Sequence, residues 1–266
     1  MKFIDIHTHI YPEKIARKAA ESICDYYHLK EGMTGTASLL LEREKAAGIE
    51  KAALLPVATK AVNVRSINDF IIDETKKHNE FIGFGTVHAE QKNLLEEVEY
   101  MMQNNLHGIK IHPDHQKFAI DDERLFPLYD YLQNLPESKK IPVIFHCGDP
   151  VSNLSHPERL KKVLHQFPFL SVIAAHLGGW SIFDEAVQVM KGERCWFDIS
   201  STMAFVEPEK LKEYINVYGI EKILFGTDFP MWDPVKEVER FYELPLNESE
   251  RELIAYKNAE RLLRIR

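Results

Sequence analysis

Five residues with metal-binding or acid–base side chains stand at the ends of short apolar runs. They are His7 and His9 in FIDIHTH (residues 3–9), His146 in IPVIFHCG (141–148), His176 in LSVIAAHLGG (170–179) and Asp228 in KILFGTDFP (222–230). Side chains of an extended chain alternate between faces, so Phe3, Asp5, His7 and His9 are expected on one face and Ile4 and Ile6 on the other. Two neutral imidazoles one strand repeat apart can share a divalent cation, because imidazole nitrogen suits zinc, iron and other first-row metals. A lone histidine after a strand is ordinarily a loop residue or a hydrogen-bonded core residue. Four strand ends with ligand-type residues, with Gly178 and Gly179 after His176 and Gly226 before Asp228, point instead to one shared site. Histidines and a carboxylate gathered there can hold a metal and leave a position open for water.

For these donors to meet, the strands that carry them must open onto the same face. Helical patterns alternate with apolar runs along the chain: helices over 13–27, 38–47, 67–77, 94–104, 122–135, 156–166, 182–190 and 208–218 separate runs at 3–9, 52–58, 81–87, 107–113, 141–148, 170–179, 195–201 and 222–230. Eight such units imply parallel strands with helices outside, and a distorted (β/α)8 TIM-type barrel of the α/β class is expected, an open doubly wound sheet being the alternative. The C-terminal strand ends of such a barrel share one face. The 266 residues contain no long linker, low-complexity stretch or repeat, so residues 1–266 are read as a single barrel domain.

Composition narrows the function. With 45% hydrophobic and 28% charged residues the chain can bury a large core, and its net charge of −8 lacks the basic excess that nucleic-acid phosphates require. A small-molecule substrate is expected, with no nucleic-acid or membrane partner. Cys24, Cys147 and Cys195 are odd in number and widely spaced, which argues against a disulfide framework, and no basic leader or long apolar span is evident. A cytoplasmic location is expected. No GxGxxG follows the first strand and no P-loop is present, which removes the usual dinucleotide and nucleotide-phosphate readings. A homodimer is expected only as the commonest oligomer.

The set FIDIHTH, GIKIHP, IFHCG, AAHLGG, FGTDFP and NAERLL resembles the amidohydrolase superfamily, and within it the branch that includes aminocarboxymuconate-semialdehyde decarboxylase and other aromatic-acid decarboxylases. The resemblance runs nearly the whole length. It implies one divalent metal, zinc, held by His7, His9, His146 and Asp228, with His176 beside the metal-bound water. Asp228 then takes a proton from that water, and His176 positions the water or passes a proton to the leaving group.

Lys110 and His112 share a face of the fourth strand by alternation and are expected to bind substrate or to support the metal ligands. Superfamily branches with a carbamylated lysine at this strand hold two metals, so a second metal on a carbamylated Lys110 is an alternative, and an ion pair of Lys110 with an acid is another. Residues 108–122 and 141–149 look more like uncharacterised hydrolases of the branch, and Arg43 is not matched to the arginine with which the decarboxylases hold a substrate carboxylate. The reading is therefore a metal-dependent hydrolase of a small anionic amide or lactone. A carboxy-lyase of aromatic or muconate-like acids is the alternative, ahead of a non-catalytic binding protein or a nuclease. Cys147 is expected to pack, Asp198, Ser200 and Ser201 to line the pocket or cap a turn, and His88 and His115 to be solvated.

Overall fold

The apolar runs form β1 (Phe3–Thr8), β2 (Ile49–Leu54), β3 (Phe81–Gly83), β4 (Gly85–Thr86), β5 (Ile109–Ile111), β6 (Val143–Phe145), β7 (Val172–Ala174), β8 (Trp196–Asp198) and β9 (Ile223–Leu224). The structure, a computed structural model, describes residues 1–29 and 32–265. Strand pairings are parallel throughout and follow chain order, β1-β2-β3 in one sheet and β4 to β9 in the other. β3 and β4 are one run that changes partner at Phe84: Phe84 N donates to Leu54 O at 3.1 Å, and Gly85 N donates to Gly108 O at 2.9 Å. Counted this way, the described residues contain eight barrel strands.

The last seam, between β9 and β1, is not closed by a regular ladder. Ile6 N donates to Phe225 O at 3.0 Å, Asp228 N to His7 O at 2.8 Å and His9 N to Phe229 O at 2.7 Å, which joins the two chains just beyond β9. The result is a distorted (β/α)8 barrel, open at this seam in its strict ladder. Ladders are shorter than the apolar runs because burial selects apolar residues beyond the last paired one. The chain leaves each ladder while still inside the protein, and the site loops begin there.

Around the strands lie α1 (Glu13–Tyr27), α2 (Ala37–Ala47), α3 (Val64–Lys77), α4 (Leu94–Gln103), α5 (Pro113–Gln116), α6 (Phe126–Gln133), α7 (Pro157–Gln166), α8 (Phe183–Met190), α9 (Pro208–Tyr218), α10 (Pro234–Glu243), α11 (Glu248–Glu252) and α12 (Asn258–Leu263). Their starts follow local rules. Thr36 and Asp233 cap α2 and α10 through their side chains, Asn247 and Glu250 form a reciprocal capping box on α11, and Pro157, Pro208 and Pro234 occupy first turns. No described helix is long and apolar enough to cross a membrane.

Apolar packing forms two clusters. The larger fills the layer between strands and helices, where Ile109, Ile111 and Phe145 meet Leu128, Tyr129 and Leu160. The smaller, with Ile4, Ile6, Ile82, Ile144, Ile173 and Leu224, fills the barrel interior and is joined by Ala259 and Leu263 of α12. A 2.7 Å ion pair from Lys2 to Glu260 fixes α12 at the end of the barrel where the strands begin. The opposite end is left for chemistry.

The alternation expected for β1 is broken. Ile4 and Ile6 point into the barrel, whereas Phe3 packs on Phe241 of α10 and Asp5 lies against Glu44 of α2. His7 nonetheless also points inward, because the register shifts between Asp5 and Thr8 as in a β-bulge. Asp5 holds this irregular turn of chain by accepting from His7 N at 2.9 Å and Thr227 N at 3.0 Å, with the Thr227 hydroxyl on its other oxygen. A strict period of two would have put Asp5 in the site; the bulge puts it behind the site as a brace.

Candidate active site

The ends of β1, β5, β6, β7, β8 and β9 bring His7, His9, Lys110, His112, His146, His176, Ser201 and Asp228 to the floor of one cavity of about 620 Å³. His176, Ser201 and Asp228 all have left-handed backbone, with φ of 55°, 53° and 62°. Such conformations turn the chain sharply, and their gathering at one cavity is what a positioned site requires. Gly226 is needed beside them, since a Cβ there would lie 3.0 Å from both the His7 and Ser200 Cβ atoms.

His7 is set by its second nitrogen. Its Nδ1 faces Asp198 Oδ2 at 3.0 Å, and Asp198 is itself held by Ser200 and by the backbone N–H groups of His176 and Ser200. Asp198 is buried, which opposes its charge, but the His7 ring and its hydrogen bond bring its pKa down to about 2. An ionised carboxylate on Nδ1 fixes the proton there and leaves the Nε2 lone pair for the cavity. His9 repeats the arrangement: Nδ1 donates to Leu55 O at 2.6 Å and Nε2 faces Asp228 Oδ1 at 3.4 Å. His7 Nε2 is 3.6 Å from that same oxygen.

His7, His9 and Asp228 thus present ligand atoms within 4.8 Å of one another. Burial, followed by repulsion from Lys110, depresses His7 to about 3, so its ring is neutral and able to donate a lone pair. Burial works against an ionised Asp228, yet His7, His9 and His176 hold it well below the usual carboxylate range. The Ser201 hydroxyl donates to Asp228 and accepts from Trp232 Nε1 at 2.8 Å, which fixes the orientation of the carboxylate. Two imidazoles with bound second nitrogens and one ionised carboxylate fit a divalent cation.

His146 stands apart from this triad. Its Nδ1 lies 3.1 Å from His176 Nε2, and its Nε2 faces Gly148 O at 2.9 Å and the Tyr27 hydroxyl at 3.3 Å. His176 in turn is fixed at Nδ1 by the Ser200 carbonyl and hydroxyl, at 3.0 and 2.9 Å, and stacks on His7 with ring centroids 4.9 Å apart. His112 stacks on His146 at 3.9 Å and reaches the same Tyr27 hydroxyl at 3.1 Å. Burial depresses both rings and each is next to other cationic-capable groups. Lys110 is fully buried with Nζ 3.2 Å from His7 Nε2, and desolvation lowers it to about 8 against the pull of Asp198 and Asp228.

Some positions differ from expectation and others follow it. Tyr27 was legible only as the end of the helix expected over 13–27, yet its hydroxyl joins His112 to His146. His115 is half-buried on the cavity wall and His88 is buried against Phe118, so neither is solvated; the spacing of His112 and His115 on one helical turn was the available signal. Arg43 pairs with Asp233 through bonds of 3.0 and 2.6 Å and does not line the cavity. Cys147 is buried behind the floor, its thiol pKa raised by desolvation. Trp180 lines the cavity against Tyr27, whereas Phe183 belongs to the helix–strand layer.

Known proteins share this architecture over its full length. An uncharacterised TIM-barrel protein from Bordetella bronchiseptica superposes with a TM-score of 0.82 at 21% identity, covering 99% of each chain. 5-Carboxyvanillate decarboxylase from Sphingomonas paucimobilis gives 0.77 at 15% identity over 100% of this chain and 99% of its own. A dihydroxybenzoic acid decarboxylase from Polaromonas sp. JS666, crystallised with manganese, gives 0.77 at 18% identity over 99% and 97%. In sequence, decarboxylase orsB of Emericella nidulans is 26% identical over 39% of this chain, and the chain covers 37% of that relative's length. The amidohydrolase family model matches residues 4–265, and the chain belongs to the amidohydrolase family.

Proposed function

We propose that this protein is a metal-dependent carboxy-lyase that removes CO2 from small hydroxylated aromatic acids. The observation that carries the reading is the gathering of the cavity's charged groups at one end. His7, His9, Lys110, His176 and Asp228 gather on its floor, while Tyr11, Tyr27, Phe70 and Trp180 contribute aromatic walls. A flat ring with its oxygens along one edge matches that division. The decarboxylases of similar fold act on such acids, which supports the same choice over hydrolysis.

His7, His9 and Asp228 would hold a divalent cation, with His146 as the further donor that the sequence resemblance implies. When bound, the ion supplies Lewis acidity at the substrate oxygens. The protein's own groups then account for the proton. Asp228, ionised and oriented by Ser201, accepts the proton of the substrate hydroxyl and returns it to the ring carbon that carries the carboxylate. The bond from that carbon to the carboxylate breaks, its electrons restore the aromatic ring as a phenolate, and CO2 leaves. The phenolate takes a proton from solvent, so one proton is consumed per turnover. Lys110 offers the acid end a buried positive charge, and His176, pinned at Nδ1 by Ser200, lines the same floor.

The test is a panel of hydroxybenzoic acids, amides and lactones offered to protein reconstituted with zinc or with manganese. Release of CO2 with deuterium from D2O appearing at the vacated ring carbon is expected. Turnover of amides or lactones without any CO2 release would overturn the reading in favour of hydrolysis.

A further inference from the structure

The cavity is far larger than a single-ring acid needs. An apolar hollow of ~150 Å³ suffices for one benzene ring, whereas this one measures about 620 Å³. Much of its apolar lining comes from α1 and α3. α1 carries two apolar rows: Ala16, Ala20 and Cys24 are buried against the core, while Ile15, Ala19 and Ile23 face the cavity. α3 contributes Ile67, Phe70 and Ile71 to the lining of the same cavity. Helical spacing of three and four sets each row on one stripe, so each of the two helices offers the cavity an apolar wall. Ile15 remains 52% exposed, an apolar side chain with room beside it.

Charge is distributed to match. Histidines aside, the charged residues among the described lining are Lys110 and Asp228, both on the floor. Thr59, Asn63 and Ser66, which line the cavity, are exposed and uncharged, and they form a polar rim near α3. A molecule that filled this space would have its acid group at Lys110 and an uncharged, apolar extension between the two helices.

We propose that the space between α1 and α3 is a subsite for an alkyl substituent, so that the preferred substrate is an aromatic acid bearing a chain of several carbons. The inference rests on the carboxy-lyase reading for the acid end and adds the substituent. Apolar walls reward each buried methylene by about fourfold in affinity. A bare ring leaves these walls in contact with water.

Binding separates this inference from the chemistry. 5-Alkylresorcinols, which lack the carboxylate and cannot turn over, are titrated calorimetrically into the zinc-reconstituted protein in a series from methyl to heptyl. Kd is expected to fall about fourfold per methylene until the space is filled. In Ala19→Phe, which narrows the gap between the helices, and in Phe70→Ala, which removes one wall, the dependence on chain length should flatten, with circular dichroism confirming the fold. A Kd independent of chain length, or weaker binding of the longer chains, overturns the subsite. Tighter binding along the series with no CO2 released from the matching alkyl acids leaves the subsite standing and overturns the carboxy-lyase reading instead. Release of CO2 from short acids together with a flat binding series does the reverse.

Discussion

His7 and Asp198 meet at 3.0 Å, both buried, across 191 positions of sequence. The contact fixes which nitrogen of His7 carries the proton and thereby which one faces the cavity. Partners of this kind typically matter 10- to 100-fold for metal affinity. Asp198→Asn, which can present an amide N–H to Nδ1 and so favour the wrong tautomer, is expected to weaken metal retention by about that factor. Competition with a fluorescent chelator measures it, and an unchanged affinity would remove Asp198 from the account.

Asp228 combines a ligand position with the proposed proton transfer. Asp228→Asn keeps the shape and can still accept from Ser201, but it cannot carry the proton. Loss of a positioned acid–base group lowers rates by about 10² to 10⁴. A fall of that size in kcat for CO2 release is expected, with the thermal midpoint of the protein little changed. A variant with full turnover would show that the proton travels elsewhere.

Lys110 is the buried cation closest to the metal-binding triad, with Nζ against His7 Nε2. Lys110→Met fills the same space without charge. Hydrogen bonds to charged groups contribute about 1.5–3 kcal/mol, so KM for an acid substrate should rise roughly 10- to 100-fold, with neutral product analogues bound almost as before. Equal losses for acids and neutral analogues would point to collapse of the floor. Elemental analysis of the same two proteins should give one metal equivalent per chain in each; a drop from two equivalents to one on losing the lysine would favour the carbamylated, two-metal alternative.

A buried pair of acids, Asp5 and Glu44, predicts a pH effect on stability. Glu44 of α2 is buried and its carboxyl is raised well above the usual range by desolvation and by Asp5, while Asp5 is raised to about 7 by burial. Both groups hold protons in the folded protein that they would release on unfolding at neutral pH. Their contribution to stability is therefore complete below pH ~4, where both states are protonated, and it is lost as pH rises through the folded values. Melting temperature should fall between pH 5 and pH 8, and Glu44→Gln, whose amide can donate to an ionised Asp5, should reduce that fall by on the order of 5 °C. Parallel melting curves for the two proteins across this range would refute the pair.

Much of the barrel was readable from local signals. Apolar runs bounded by glycine and proline gave the order of strands and helices, and α1, α2 and α9 begin and end within a residue of their expected bounds. The paired ladders were not readable, since β9 is only Ile223–Leu224 inside a run of nine expected residues. Burial writes the run into the sequence, whereas hydrogen-bonded pairing depends on a neighbour strand. The gathering of histidines was legible for the same local reason: each stands where an apolar run stops.

By itself the sequence determined the alternation of strand and helix, the strand ends at which His7, His9, His146, His176 and Asp228 stand, and the membership of these motifs in one family. Only the tertiary structure decided which of them meet. The bulge after Asp5 turns His7 inward beside Ile6, Asp198 selects its free nitrogen, and Gly148, His176 and Tyr27 engage the two nitrogens of His146. It also brought the second apolar row of α1 and residues of α3 to the wall of one cavity. Period and composition are local properties of a chain, but ring orientation, register and enclosed volume depend on contacts between residues far apart in sequence.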